Sequence, residues 1–486
     1  MAITFRRGPD ITSDRLEFSS DFSHDAEGWW LSQAGPVEPT EPLDGDISAD
    51  FAIVGGGYAG LWTALALRRR SPDARVVVVE ANGCGEGPSG RNAGLVNSLW
   101  QHFESLCEAH GASAAIDLCD LSERSVAAIG QFGHDRGFDF HFRTGGHLKV
   151  STSAAQDQAW TATRRVCGEH GRGTRLVDLS RSDVLARCAS PLFRRGAFFP
   201  QAATVQPALL ARALRRAALD DGVRIAEHSR ARRIATTRSG EVGIEIDGGS
   251  LTAGAAVLAI NAATAGFAPL RSRLAVSSTH MIVTEPVPDV LDEIGWNGGE
   301  CISSARRYLH YFRTTADGRI AFGWGGGRIA YGARLGRRVE VDPAMPRLLS
   351  RDILRFFPEL RGRRIDAAWG GPIDVSPNHV PCIGTLPGTR IHYACGFTGN
   401  GVGPAHLVGE TLSSLALGAD DEYSRSALIE PELVPVPPEP FRYVGGTLVR
   451  AALLRKDTLE DDDRPVGPAT RFVCDLPSRF GMHFGR

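Results

Sequence analysis

The sequence predicts an α/β protein with a nucleotide-binding unit near its start and a second domain built on an antiparallel sheet. Three observations predict this. Residues 51–80 read as strand, glycine turn, helix and strand. Residues 274–330 are dense in short strand-like stretches, and a second strand, glycine turn and helix follows in YACGFTGNGVGPAHLVGETLSSLALG.

In the first unit Phe51–Val54 is an apolar run suited to a buried parallel strand. Gly55, Gly57 and Gly60 then give G-x-G-x-x-G. The first glycine permits the tight turn, the second lets the backbone approach a pyrophosphate, and the third lets helix pack closely on strand. Leu61, Ala64 and Leu67 form a small apolar face at intervals of three. After Ser71-Pro72-Asp73, the run Arg75–Val79 is a second strand, and Glu80 ends it twenty residues past Gly60. A carboxylate there accepts the hydroxyl hydrogens of an adenosine ribose. The unit predicts dinucleotide binding; the acid favours FAD or NAD over NADP without separating the first two.

Bulk properties exclude several classes. The 486 residues allow two or three domains, and 42% hydrophobic with 23% charged residues is ordinary for a globular chain. A net charge of −2 gives no reason to expect nucleic acid or an anionic membrane as partner. No apolar run approaches the length of a bilayer span, and MAITFRRGPDITSD lacks the apolar core of a secretory signal. Nine cysteines without paired spacing read as reduced thiols of a cytoplasmic protein, and no metal-ligand spacing is present. The basic residues are almost all arginine, Lys149 and Lys456 being the only lysines.

Taken in order, residues 1–49 are polar and broken by prolines, an arm that Trp29, Trp30 and Leu31 are expected to tack onto the domain surface. The alternative is an arm that contributes to a site or an interface. Gly83–Gly94 is a glycine-rich loop carrying Glu86, Ser89, Arg91 and Asn92, a composition suited to backbone approaching a flat anionic cofactor. Residues 101–140 read as helices, Gly145–Val150 as a strand, Ala154–Cys167 and Ser182–Cys188 as helices. Pro207 is placed to start a helix that runs to about Asp220. Val223–Ala226, Gly243–Ile246 and Ala255–Ile260 are strand candidates. Thr279–Thr284, Tyr308–Arg313 and Ile320–Trp324 suggest the antiparallel sheet, and residues 344–357 a helix ended by Pro358.

The helix starting near Gly401 aims free N–H groups and a positive dipole end at whatever precedes it. Five prolines make Pro431–Pro440 an extended linker. Phe441–Leu459 is amphipathic, and docking on its own body or on a second subunit is favoured over a membrane surface.

With both glycine-rich ends in view, IVGGGYAGLWTALAL, GPSGRNAGLV, WGGPIDVSPNHVPCIG and YACGFTGNGVGPAHL resemble the D-amino-acid oxidase-like superfamily of FAD-dependent oxidoreductases, and within it most the gamma-glutamylputrescine oxidoreductase branch. The resemblance covers about Asp50 to Gly418. It implies a discontinuous, doubly wound, glutathione-reductase-like FAD domain from residues 50–100, 200–270 and 369–425. Residues 101–199 and 271–368 would form the substrate domain, 1–49 the arm, and 426–486 the linker and C-terminal helical extension. It implies that Gly55, Gly57 and Gly60 hold the pyrophosphate and Glu80 the ribose. Ser89, Gly90, Arg91, Asn92, Ala93 and Gly94 would line the flavin's inner side, and Ala231 would meet the adenine. Thr398, Gly399, Asn400, Gly401 and Val402 would place N–H groups at the pyrimidine edge, where a helix N-terminus stabilises the negative charge of a reduced flavin. Non-covalent FAD is expected.

Departures from the family pattern shape the expected activity. Amino-acid oxidases of this superfamily usually place a carboxylate-clamping arginine shortly after W-x-G, a slot that Ile373 occupies here. That shifts the expectation toward primary or secondary amines, oxidised to imines at the C–N bond. Arg313 is the candidate replacement, sharing a strand face with Tyr311, so Tyr311, Arg313 and Trp369 are the expected catalytic residues. His280 and His379 read as structural. Neither lysine matches the oxygen-activating lysine of several relatives, leaving oxygen or another electron acceptor open. The alternatives are oxidation of an alpha-amino or N-methyl amino acid, and a non-catalytic flavin-binding subunit whose extension docks a partner.

Overall fold

A computed structural model describes residues 14–429 and 435–482. One sheet is the nucleotide-binding core. Its parallel strands run in the order Arg224–Ala226, Val76–Val79, Gly45–Val54, Gly249–Leu258 and Ile391–Cys395. Antiparallel strands Ala231–Thr236 and Val242–Ile246 continue from Gly249–Ala253, and Cys382–Thr385 pairs with Ile391–Cys395. The four valines 76–79 are all buried because both faces of the sheet are covered. Ile53, Val76, Val78 and Val257 pack toward Leu61, Leu214 and Leu407, from helices Tyr58–Arg70, Pro207–Asp220 and Val402–Leu417. Their alternate neighbours Ala52, Val54, Val77, Val79 and Leu258 face a second core with Ile244. This is the period of two, read out as two layers.

The other sheet has nine strands. From one edge they are Glu17–Asp25, Arg364–Val375, Ala275–Thr284, Ile320–Trp324, His310–Thr314, Cys301–Ser304, His147–Val150, Gly196–Phe199 and Val177–Leu179. All pairings are antiparallel except Glu17–Asp25 on Arg364–Val375 and Cys301–Ser304 on His147–Val150. Helix Met345–Phe356 packs on one face, burying Leu349, Ile353 and Phe356 against Phe312 and Phe322.

Several expectations need correcting. The arm is not tacked to the surface: Glu17–Asp25 is a strand of the nine-stranded sheet, and Trp30, 1% exposed, lies edge-on beneath Trp369 at 6.3 Å between ring centroids. A ring that size gains more from full burial than from a surface contact. Helix Ala112–Arg136 falls in the range read as substrate domain, yet its Ala115, Leu118 and Ile129 share one core with Leu61 and Leu407. The boundary expected at 369 falls inside the single strand Arg364–Val375. Of the proline-rich stretch, residues 431–434 lie outside the described residues. Beyond it, Phe441–Asp461 is helical as read, and a second helix not foreseen, Pro468–Arg479, packs on it through Cys474 against Val449 and Leu453.

Candidate functional site

The two glycine-rich ends meet around a cavity of about 920 Å³. At the first end the glycines are required by space. A Cβ on Gly60 would fall 1.9 Å from the Gly55 carbonyl oxygen, and one on Gly57 2.9 Å from Ser89 Oγ. Gly55 also adopts φ +110°, a left-handed backbone that glycine accepts without strain. Glu80 lines the cavity with its carboxylate accepting the N–H groups of Gly56 at 2.7 Å and Asn82 at 2.9 Å, which fixes its direction.

The following loop is built by its own side chains. Ser89 Oγ accepts the Tyr58 N–H at 2.9 Å; Asn92 donates to the Ser89 carbonyl at 2.8 Å and accepts the Gly94 N–H at 2.7 Å. Ser89, Arg91, Asn92 and Ala93 line the cavity, as does Ala231. Gly90 and Gly94 stand behind it as spacers: a Cβ on Gly90 would fall 2.3 Å from the Gly85 oxygen, and one on Gly94 2.1 Å from the Val205 oxygen. Arg91 is nearly buried, donating to the Ala26 and Gly87 carbonyls with Glu340 4.0 Å away; burial lowers its pKa from the usual arginine range.

The second end is a turn followed by helix Val402–Leu417. Thr398 (φ 50°) and Gly399 (φ 79°) turn the chain through left-handed conformations, and Thr398, Gly399, Asn400, Gly401 and Val402 all line the cavity. No side chain caps the helix, so its first N–H groups remain available to a ligand. The ends interlock, since a Cβ on Gly403 would fall 2.0 Å from the Asn97 oxygen, and Trp369 Nε1 donates to the Arg91 carbonyl at 2.8 Å.

Two polar residues that sequence reasoning passed over complete this end. Asp374, 1% exposed, accepts the Gly396 N–H at 2.6 Å and an Asn261 Nδ2 hydrogen at 3.2 Å. Burial pushes its carboxyl up to about 7. Asn261 sits at φ 47°, and both its Oδ1 and Asn400 Nδ2 are buried without a partner in the protein, while both residues line the cavity. Buried orphan polar atoms beside an uncapped helix start are the signature of a site finished by its ligand. The set fits FAD.

The remaining lining is more apolar: Met281, Leu309, Tyr311, Ile329, Trp369, Ile373 and Leu453. Tyr311 bonds Thr279 Oγ1, and burial raises its pKa to about 12, so it stays a neutral hydroxyl. Arg313 does not line the cavity, which corrects its expected role as a substrate contact. Its guanidinium donates to the carbonyls of Gly94, Val205 and Thr314 and lies over Trp30 at 5.6 Å. Tyr311 and Arg313 alternate on one strand, but the Arg313 side chain reaches the carbonyls behind the cavity rather than the cavity itself. Burial lowers Arg313 to about 10. His280 is buried with Nε2 3.2 Å from Ser278 Oγ and is held uncharged by burial at about 4, whereas His379 lines the cavity. Arg307, Tyr308, His102 and His147 also line it and were missed. Arg307, Leu309 and Tyr311 alternate along the chain, which was the one available signal. Among the described residues no cluster could hold a metal ion, and no helix is long and apolar enough to cross a membrane.

Known proteins resemble the chain along this same frame. It is 29% identical to the probable oxidoreductase OrdL of Rhizobium meliloti (strain 1021), over 87% of this chain and 94% of that one. It is 28% identical to the gamma-glutamylputrescine oxidoreductase of Escherichia coli (strain K12), over 82% and 91%. The crystal structure of glycine oxidase from Geobacillus kaustophilus superposes with a TM-score of 0.64 at 20% identity, over 77% of this chain and 96% of that one. The family model described as FAD dependent oxidoreductase matches residues 50–415, and the chain belongs to that family of FAD-dependent enzymes.

Proposed function

We propose that the protein oxidises the C–N bond of a primary or secondary amine to an imine, which water then hydrolyses. The observation that carries this reading is the cavity's treatment of carboxylates. Ile373 lines it in the slot after W-x-G, and Arg313, the replacement clamp, is walled off behind Gly94 and Val205. FAD supplies the hydride acceptor for such a reaction. The chain's part is to hold the cofactor by Gly55, Gly57, Glu80 and the turn 398–402, and to offer the substrate a largely apolar wall of Met281, Leu309, Ile329 and Leu453 with Arg307 beside it.

His102 and His147 support this. Burial, aided by the Lys149 charge, lowers them to about 4 and about 3, so near neutrality they add no positive charge to repel an ammonium ion. Neither lysine lines the cavity, so electrons pass to oxygen or another acceptor without a lysine at the site. Nine free thiols support a reducing, cytoplasmic setting. Phe441, Val444 and Leu448, exposed by 71%, 61% and 53% on one helix face, support contact with a second copy or a partner.

Anaerobic titration with primary and secondary amines should bleach the bound flavin's absorption; bleaching by none would reject the reading. A second reading, oxidation of an alpha-amino or N-methyl amino acid, is favoured by Arg307 in the lining. Arg307→Ala should then raise KM for amino acids at least about tenfold more than for amines. Equal effects on both would remove it.

A further inference from the structure

We propose that helix Phe441–Asp461 is the outer wall of the substrate chamber, and that through Leu453 and Asp457 it sets the size of the substituent an amine may carry. This rests on the amine reading above. The helix lies beyond residues 50–415, the stretch that the family model matches.

Leu453, 3% exposed, lines the cavity directly from this helix. One turn further, Asp457 is fully buried, its two carboxylate oxygens accepting the N–H groups of Arg307 and Tyr308, each at 3.0 Å. Arg307, Tyr308 and Leu309 all line the cavity. Charge-assisted bonds to two successive amides fix the direction of that segment, which has no strand ladder of its own. The Tyr308 ring packs against the Val449, Leu453 and Cys474 cluster, so the helix holds it from the side as well.

The same helix also holds the stretch that follows the paired strand Ile320–Trp324. Arg450 donates to the carbonyls of Gly326 and Gly327 at 2.6–2.9 Å, and Gly446 lies beside Ile329, which lines the cavity. Arg306 lies 3.5 Å from Asp461, a further tie between the helix and the residue before Arg307. Two neighbouring segments, joined where the Gly325 N–H donates to the Leu309 carbonyl at 3.1 Å, are thus both held by one helix, and between those two grips the helix presents Leu453 to the cavity. Leu453 is a specificity residue that touches the chamber; Asp457 is a positioning residue acting through Arg307 and Tyr308.

A series of n-alkylamines from propyl to decyl tests this on the FAD-loaded full chain. Leu453→Ala should move the best chain length upward and raise kcat/KM for the longer amines about tenfold, while Leu453→Phe moves it down. Asp457→Asn should raise KM about tenfold with kcat within about twofold, and Asp457→Glu should recover part of the loss, a split that general destabilisation would not give. Identical chain-length profiles in wild type and both Leu453 variants would overturn the wall. If no amine bleaches the wild-type flavin, the amine reading has failed, and acrylamide quenching of flavin fluorescence decides the wall alone. Quenching should then increase in Leu453→Ala, and unchanged quenching overturns the proposal.

Discussion

Glu227 and Asp374 are both buried carboxylates that accept backbone N–H groups from turns beside the cavity, one at each glycine-rich end. Glu227 takes the Cys84 and Thr40 amides at 2.7 Å each, and Arg215 closes on it with two bonds at 2.7 and 2.9 Å. Asp374 takes the Gly396 amide and Asn261 but has no guanidinium. Burial pushes both carboxyls up. For Glu227 the Arg215 bonds and the amides more than reverse it, to about 2. For Asp374 burial wins, at about 7.

The same latch therefore answers pH in opposite directions. Glu227's folded value lies below its ordinary 4.5, so its contribution is present above that and is lost as pH falls toward 2. Asp374's lies above its ordinary 3.8, so its contribution is present below that and is lost as pH rises through about 7. One cation decides whether a buried latch holds or loosens near neutrality.

The strongest way to break the comparison is to remove that cation. Arg215→Leu should cost about 3–5 kcal/mol, because it strands a buried charge, and thermal melts should show FAD released with the fold. Pairing it with Glu227→Leu should restore much of the loss; no restoration would mean the ion pair is not what sets the latch.

Asp374→Asn sharpens it next. As pH rises from 4 to 7 the wild type should lose stability relative to the variant, by on the order of 4 kcal/mol, as read by denaturant unfolding. A difference that stays flat across that range would end the contrast with Glu227. The smallest effect belongs to Gly399→Ala. Its φ of 79° is strained for alanine, but the added Cβ would meet only Ile373 Cδ1 at 3.9 Å. A loss of about 1–2 kcal/mol, with FAD still bound, is expected.

Much of this frame was legible because local chemistry and tertiary role agreed. The helix Pro207–Asp220 matches its expected bounds, since Pro207 supplies N1 and Gly222 follows its end. The G-x-G-x-x-G turn was readable for the same reason: its spacing is itself the steric requirement. Glu17–Asp25 was not, because EFSSDFSHD pairs at an edge, with no residue fully buried to mark a period. Ala231–Thr236 hid likewise behind arginines on a half-exposed surface. Asp374 and Asp457 had no local signal at all; their roles arise from amides 22 and about 150 residues distant in sequence. Arg313 shows the limit of alternation, which gives the side of a strand but not how deep along it the cavity reaches.

The strand Arg364–Val375 has a consequence for how such a protein can change. Residues 367–375 are in register with Ala275–Val283, Trp369 ties one loop near the middle of the strand, and Asp374 holds the other turn near its end. Deleting a single residue between them would reverse the facing of everything downstream, swinging Asp374 away from the amide it holds. Between those two ties the side chains can vary but the count cannot, and a one-residue irregularity sits only outside them, at Asp366.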